Sequence, residues 1–291
     1  MTTIILKKEY GQLGNRLHTH ANILAWCIEK NINLINLSFS PYANYFKGTS
    51  NNPSDRYLEN SLLLKFLLRI PAIHKFLNRL ALSDRYIQKL NSFIILIHKK
   101  EQECLTELEL ENSLNNNFFC TIVIRAWDIQ CPSLLEKHKN KVFNLLEPNL
   151  SIIEGVDKLK ESFPNHDFLV GVHARRGDYA SWLGGEHFHS WSKYIEWILQ
   201  TQILLEEMGK KPAFLLCSDE TPPKKLFSEL PIFIHIGSRS LAFDLHALST
   251  CDLILGPPSS FSSWAAFYGN SPKINLNSGE NIQSLPIRQT S

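Results

Sequence analysis

The apolar run Phe168-Leu169-Val170-Gly171-Val172 passes directly into His173-Ala174-Arg175-Arg176-Gly177-Asp178-Tyr179, and no other stretch constrains the fold as tightly. The run reads as a buried strand with fixed charge at its C-terminal end. In open α/β sheets that end is where ligands bind. Two adjacent guanidiniums, each with five donors, suit a phosphate or pyrophosphate better than a single carboxylate. The segment therefore reads as an anion clamp.

The rest of the chain has the alternation that such a strand requires. Ile4-Ile5-Leu6 reads as a first strand, followed by a helix with Leu17, Ala21, Leu24, Ala25 and Ile28 on one face, then a strand at Leu34-Ile35-Asn36-Leu37. Residues 61–98 are rich in leucine, isoleucine and lysine and read as helical, and Phe118 to Ile124 as a buried strand. Ile152, Val156, Leu159 and Phe163 share a helical face. After the strand at 168–172, Trp191, Tyr194, Ile195, Ile198 and Leu199 recur at helical spacing. Strands at 213–216, 232–234 and 253–255 follow, with a helix around Leu241, Leu245 and Leu248 and another through Phe267. Short β-branched runs alternating with helical periodicity define an α/β class. The 291 residues divide best into 1–150 and 151–291.

Composition excludes several classes. A net charge of +2 gives no reason to expect nucleic acid as a partner. Six scattered cysteines without a Cys-x-x-Cys pair read as reduced thiols in a cytoplasmic protein. The longest greasy patch, Phe93 to Ile97, is too short for a transmembrane segment, which leaves at most peripheral membrane association.

Four further clusters can carry chemistry. Gly11-Gln12-Leu13-Gly14-Asn15-Arg16 joins a strand to a helix, where backbone N–H groups can meet an anion; it is neither a Walker A loop nor G-x-G-x-x-G. If the strand at 168 runs on to 176, His173 and Arg175 share a face, one arginine reaches a ligand, and Arg176 gives structural support by holding an acid such as Asp178. Asp244 opens a helix, where a carboxylate compensates the dipole or accepts hydrogen bonds from a guanine edge. Ser259-Ser260-Phe261 begins another, suited to capping or phosphate binding. Glu186 follows Trp182-Leu183-Gly184-Gly185 in a loop, a fair place for a general base. His18 with His20 and His187 with His189 have no third ligand at zinc-like spacing, so no metal is expected.

Taken together, Gly11-Gln12-Leu13-Gly14-Asn15, His173 through Tyr179, and Asp244 through Ser249 with Ser259-Ser260-Phe261-Ser262-Ser263-Trp264-Ala265-Ala266 resemble three motifs of the fucosyltransferase superfamily. The second and third most resemble the bacterial α-1,2 branch, glycosyltransferase family 11. Arg16 stands where that group usually has Gln, and Gln12 where it often has Gly.

The resemblance implies a GT-B-like fold of two Rossmann-like domains facing a central cleft, the first on the acceptor side and the second binding a GDP-sugar donor. It implies an inverting enzyme with GDP-fucose as donor substrate, a glycan acceptor, and no cofactor or essential metal. By that likeness Asn15 lies near the donor phosphates, His173 contacts guanosine and Arg175 the β-phosphate. Asp244 binds guanine, while Ser259, Ser260 and Phe261 line the phosphate and sugar site. Asp178 and Glu186 compete for the role of base; Asp178, set among arginines, is held in its weakly basic form. The alternatives are an α-1,6- or protein O-fucosyltransferase-like enzyme, or a non-catalytic GDP-sugar-binding protein.

Overall fold

In a computed structural model, described over residues 2–7, 11–39, 41–48, 55–57, 94–100, 103–114, 121–227 and 241–287, the chain forms two compact α/β units, 1–149 and 150–291. The expected strand at 232–234, residues 118–120 and most of the 61–98 segment lie outside the described residues.

The first unit contains β1 (Thr3–Leu6), α1 (Leu13–Lys30), β2 (Asn33–Asn36), β3 (Asp55–Tyr57), β4 (Ile94–His98), β5 (Cys104–Thr106), α2 (Glu107–Leu114), β6 (Thr121–Arg125), β7 (Asp128–Gln130), α3 (Pro132–Lys137) and α4 (Lys139–Leu145). Five strands make a sheet ordered β3-β2-β1-β6-β4, parallel except for the β2–β3 pair. The helical reading of 61–98 fails at its end, because Ile94–His98 is a strand paired in parallel with β6. A short run of isoleucine and leucine has no period that separates a buried strand from a buried helix, and β-branching decides it.

The second unit contains α5 (Leu150–Glu161), β8 (Phe168–Ala174), α6 (Trp191–Glu207), β9 (Pro212–Ser218), α7 (Lys224–Phe227), α8 (Leu241–Ser249), β10 (Leu253–Gly256), α9 (Ser260–Gly269) and β11 (Lys273–Asn275). Its parallel sheet is ordered β11-β10-β8-β9. All seven residues of β8 are buried, as a central strand covered on both faces requires. Side-chain alternation assigns the two faces. Phe168, Val170, Val172, Ala174, Phe214, Leu216, Leu253 and Leu255 pack with Tyr194, Trp197, Ile198 and Leu205 of α6. Each large side chain so buried contributes about 1.5–3 kcal/mol, far more than helix propensity supplies. Leu199 and Leu241, expected on buried faces, are 39% and 42% exposed, since each lies off the stripe its helix turns inward.

Connectivity, more than strand count, decides where a ligand can enter. The chain leaves β8 through α6 for β9 on one flank, and β10 joins β8 on the other flank before the chain moves on to β11. The order therefore reverses between β8 and β10, which opens a crevice at their C-terminal ends. In the first unit the order reverses likewise at β1, flanked by β2 and β6.

Close approach of α9 to α8 depends on one missing side chain. A Cβ at Gly269 would stand 2.0 Å from the Ser249 carbonyl oxygen, whereas one at Gly279 would meet nothing within 4 Å. Gly269→Ala should lower stability by about 1–3 kcal/mol or more in urea denaturation, while Gly279→Ala changes it by less than about 0.5 kcal/mol. Equal stability of the two variants would contradict this packing.

Candidate active site

Two of the sequence motifs meet at the crevice between β8 and β10. A Cβ at Gly256 would lie 3.1 Å from His173 Cβ and 3.2 Å from the His173 carbonyl oxygen, so glycine is what lets the strand ends close. Beyond the strands, the Tyr179 hydroxyl donates to the Pro258 carbonyl at 2.7 Å, and the His173 and Phe261 rings lie 5.1 Å apart. Asp244 joins the same end of the sheet. His173 is in register with Cys217, whose thiol lies 4.0 Å from the Asp244 carbonyl oxygen in α8.

The strand stops at Ala174, so Arg175 and Arg176 sit on the turn and not in the pleat. Arg175 grips Asp178 through two parallel bonds, Nε to Oδ1 at 2.9 Å and Nη2 to Oδ2 at 2.6 Å. Its guanidinium also lies 4.8 Å from the centre of the Tyr179 ring. The expectation that Arg176 holds Asp178 is thus corrected. Arg176 pairs with Glu220 at 2.9 Å, donates to the His189 carbonyl, and lies over the rings of Phe188 and Trp191 at 4.5 and 4.7 Å. A spacing of three residues within a tight turn brings Asp178 under Arg175, while Arg176 turns toward α6 and the end of β9.

Asp178 fixes one edge of the Arg175 guanidinium and leaves the Nη1 side for a second anion, in the fork geometry that suits phosphate. The hydrogen bonds from Arg175 lower the Asp178 pKa, so the carboxylate stays charged and weakly basic. Asp219, absent from the sequence reading, pins the turn: its carboxylate accepts from the backbone N–H of Arg176 at 2.8 Å and of Gly177 at 3.1 Å. The available signal was two acids, Asp219 and Glu220, directly after an apolar strand.

On the other side of the crevice, α9 begins at Ser260 with Ser259 as N-cap; the Phe261 N–H donates to Ser259 Oγ at 3.3 Å. The first turn carries no acid, so its positive end is not offset from within the helix. His173 is 6% exposed, and its pKa is pushed down to about 3 by burial, then by Arg175 and Lys273. It is a neutral imidazole at ordinary pH and cannot serve as base near neutrality. Lys273, also missed, reaches beneath the α9 loop from β11.

Glu186 is exposed and ends the one-turn helix Trp182–Gly185, a segment with positive φ at Leu183, Gly184 and Gly185. Trp182 stacks on Tyr179 with ring centres 4.9 Å apart, which links that loop to Arg175. Asn15 belongs to the first unit, in the first turn of α1 against Gly11, whose φ of +85° demands glycine. Arg16 donates to the carbonyls of Gly11 at 2.9 Å and Ser38 at 2.6 Å, bracing that loop. His189 is a satisfied core histidine: its ring nitrogens pair with Ser278 Oγ and the Leu276 carbonyl. Among the described residues no group of three His, Cys, Asp or Glu side chains is placed to hold a metal ion. No helix among them is long and apolar enough to cross a membrane, and Cys27, Cys104, Cys131, Cys217 and Cys251 are free thiols.

No protein-family model and no curated protein matches the chain. Solved structures do. A variant of FUT1 from Arabidopsis thaliana in complex with GDP superposes with a TM-score of 0.54 at 14% identity, covering 94% of this chain and 70% of that one. The fucosyltransferase NodZ from Bradyrhizobium gives 0.52 at 14% identity over 96% of each chain. NodZ described as an α-1,6-fucosyltransferase soaked with GDP-fucose gives 0.51 at 16% identity, covering 96% of this chain and 97% of that one. The chain therefore has the GT-B-like α/β fold on which these fucosyltransferases are built.

Burial alone pushes the Asp244 carboxyl up to about 7. The folded protein then holds a proton that the unfolded chain releases near pH 4, so stability falls as pH rises from about 4 to about 7. Asp244→Asn should remove that loss. Urea denaturation at about pH 5 and about pH 8 checks it, and the variant should gain stability over the parent at the higher pH. An equal slope in both proteins would assign the pH dependence elsewhere.

Proposed function

We propose that this protein is an inverting, metal-independent glycosyltransferase that moves fucose from GDP-fucose to a hydroxyl of a glycan acceptor, forming an α-1,2 linkage. One observation carries the reading: Arg175, held on one edge by Asp178, and the N-terminus of α9, whose first turn carries no acid, flank the same topological switch point. That pairing is a diphosphate receptor by its chemistry. Fucose and guanine come from the fold shared with solved fucosyltransferases, two of which carry GDP or GDP-fucose in their descriptions, and from the sequence resemblance.

In this reading the acceptor oxygen forms a bond to the anomeric carbon as the bond from that carbon to the β-phosphate oxygen breaks. The electron pair stays on the departing GDP. Arg175 and the first-turn N–H groups of α9, with Ser259, Ser260 and Phe261, stabilise that developing charge, supplying what a divalent ion would otherwise supply. Above about pH 7, where burial lets it ionise, Asp244 accepts from the guanine edge, and neutral His173 lies against the nucleoside. Glu186 takes the acceptor proton, since Asp178 is committed to Arg175 as its positioning partner. A second reading keeps fold and donor and changes the acceptor, as an α-1,6- or protein O-linked transfer; the α-1,6 description of NodZ favours it.

Thermal stabilisation by GDP-, UDP- and CMP-sugars tests the donor. GDP-fucose at about a hundred times its dissociation constant should add about 2.7 kcal/mol, with no comparable gain from the others. Transfer should persist in a chelator, with mass spectrometry of glycan and peptide products fixing the acceptor class. Tight GDP binding with neither transfer nor donor hydrolysis would reject catalysis.

Arg175→Ala should cost about 3 kcal/mol of transition-state stabilisation, roughly a hundredfold in kcat. Glu186→Gln should lower turnover and leave GDP affinity unchanged. A variant at Arg175 with more than half the parent rate would sink the assignment, and weaker GDP binding at position 186 would remove Glu186 from the role of base.

A further inference from the structure

Lys273 opens β11 and sends its ammonium under the loop that joins β10 to α9. Its Nζ lies 3.3 Å from the Pro257 carbonyl oxygen, 3.2 Å from Ser263 Oγ in α9 and 2.7 Å from Asn275 Oδ1. An ammonium has three donors, and here all three are directed at uncharged oxygens. No carboxylate pairs with it among the described residues, and burial pushes its pKa down to about 8. A part-buried cation with only neutral partners is costly to hold unless an anion answers it. A second observation points the same way. His173, 6% exposed, has a buried Nδ1 with no hydrogen-bond partner, and both Arg175 and Lys273 act on that imidazole.

We infer that Lys273 is a positioning residue for the diphosphate, tying the 256–259 loop, α9 and β11 into one cradle and placing a positive charge beneath it. The inference rests on the reading of this crevice as a GDP site and adds a cation that the sequence motifs do not contain. Pro257 and Ser263, which bracket Ser259 and Phe261 in sequence, are then held by a lysine, while Ser259 and Phe261 are joined by the helix cap. Lys273 differs from Arg175 in its chemistry: a guanidinium keeps its charge at every working pH, whereas this ammonium can lose its proton as pH rises.

The groups facing Lys273 allow its titration to be isolated. β8 presents His173, neutral above about pH 3, with Arg175 beyond it, always charged; the partners from the loop, α9 and β11 are uncharged. Burial raises the Tyr179 phenol from its ordinary value, above the range needed. Asp244 affects guanine recognition and so cancels in a ratio of GDP to guanosine affinity.

Calorimetric binding of GDP and guanosine to the full chain tests the inference. In the parent protein the affinity ratio should fall by on the order of tenfold between about pH 7 and about pH 9.5 as Lys273 deprotonates. Lys273→Met should lower the ratio by about tenfold at pH 7, leave guanosine binding unchanged and flatten the pH profile. Lys273→Arg should keep a high ratio and also flatten the profile. Should Lys273→Met fail to fold, the parent profile and the arginine variant still decide. The inference is overturned by a flat ratio in a parent that binds GDP, by a methionine variant with the parent ratio, or by equal loss of both ligands, which would mark a role in folding alone. A parent that binds neither nucleotide overturns the GDP reading itself, and this inference with it.

Discussion

The turn after β8 is held from two directions, and the rest of the candidate site depends on that restraint. Asp178 takes one edge of the Arg175 guanidinium, while Asp219 takes the amides of Arg176 and Gly177. A long cationic side chain at a strand end would otherwise sample many rotamers, and immobilising it on ligand arrival costs on the order of 1 kcal/mol or more. Here much of that ordering is complete before any ligand binds. Electrostatic stabilisation of a leaving group is effective to the extent that its donors are already aimed. The acids also leave the cluster close to balanced in charge, so the turn can persist without an anion.

Topology explains why these groups meet. In the second unit, the order β11-β10-β8-β9 makes the chain depart from β8 and β10 in opposite directions, so neither following helix covers the gap above them. Gly256 lets the two strand ends approach within van der Waals contact of His173. The positive end of α9 then lies at the same rim as Arg175, and α8 brings Asp244 to it through Cys217. Sheet register, more than any single contact, sets this arrangement.

Much of this is legible in the amino-acid order, for identifiable reasons. The run at 168–172 has no helical period and stops at charged residues, so both strand and strand end are readable. Ser259 lies just before an apolar helical stretch, which is how a cap announces itself. What escapes reading is non-local. The partners of the Arg176 segment are Asp219 and Glu220, 43 and 44 residues away, and only the β8–β9 pairing brings them near. Strand alternation extended past Ala174, where β8 has ended, gives Asp178 to the wrong arginine. Lys273 gives no signal at all, being one lysine in a short strand whose meaning depends on the loop above it. The strand at 94–98 is hidden in a leucine- and isoleucine-rich context without a decisive period.

The central claim is that a leaving diphosphate is received between Arg175 and the first turn of α9. The position of the β-phosphorus in a crystal structure of the GDP complex measures it most directly. The account predicts phosphate oxygens within hydrogen-bonding distance of Arg175 Nη1 and at the first turn of α9, with the base at Asp244. A diphosphate seated away from the β8–β10 crevice, with Arg175 still facing Asp178 alone, would contradict it.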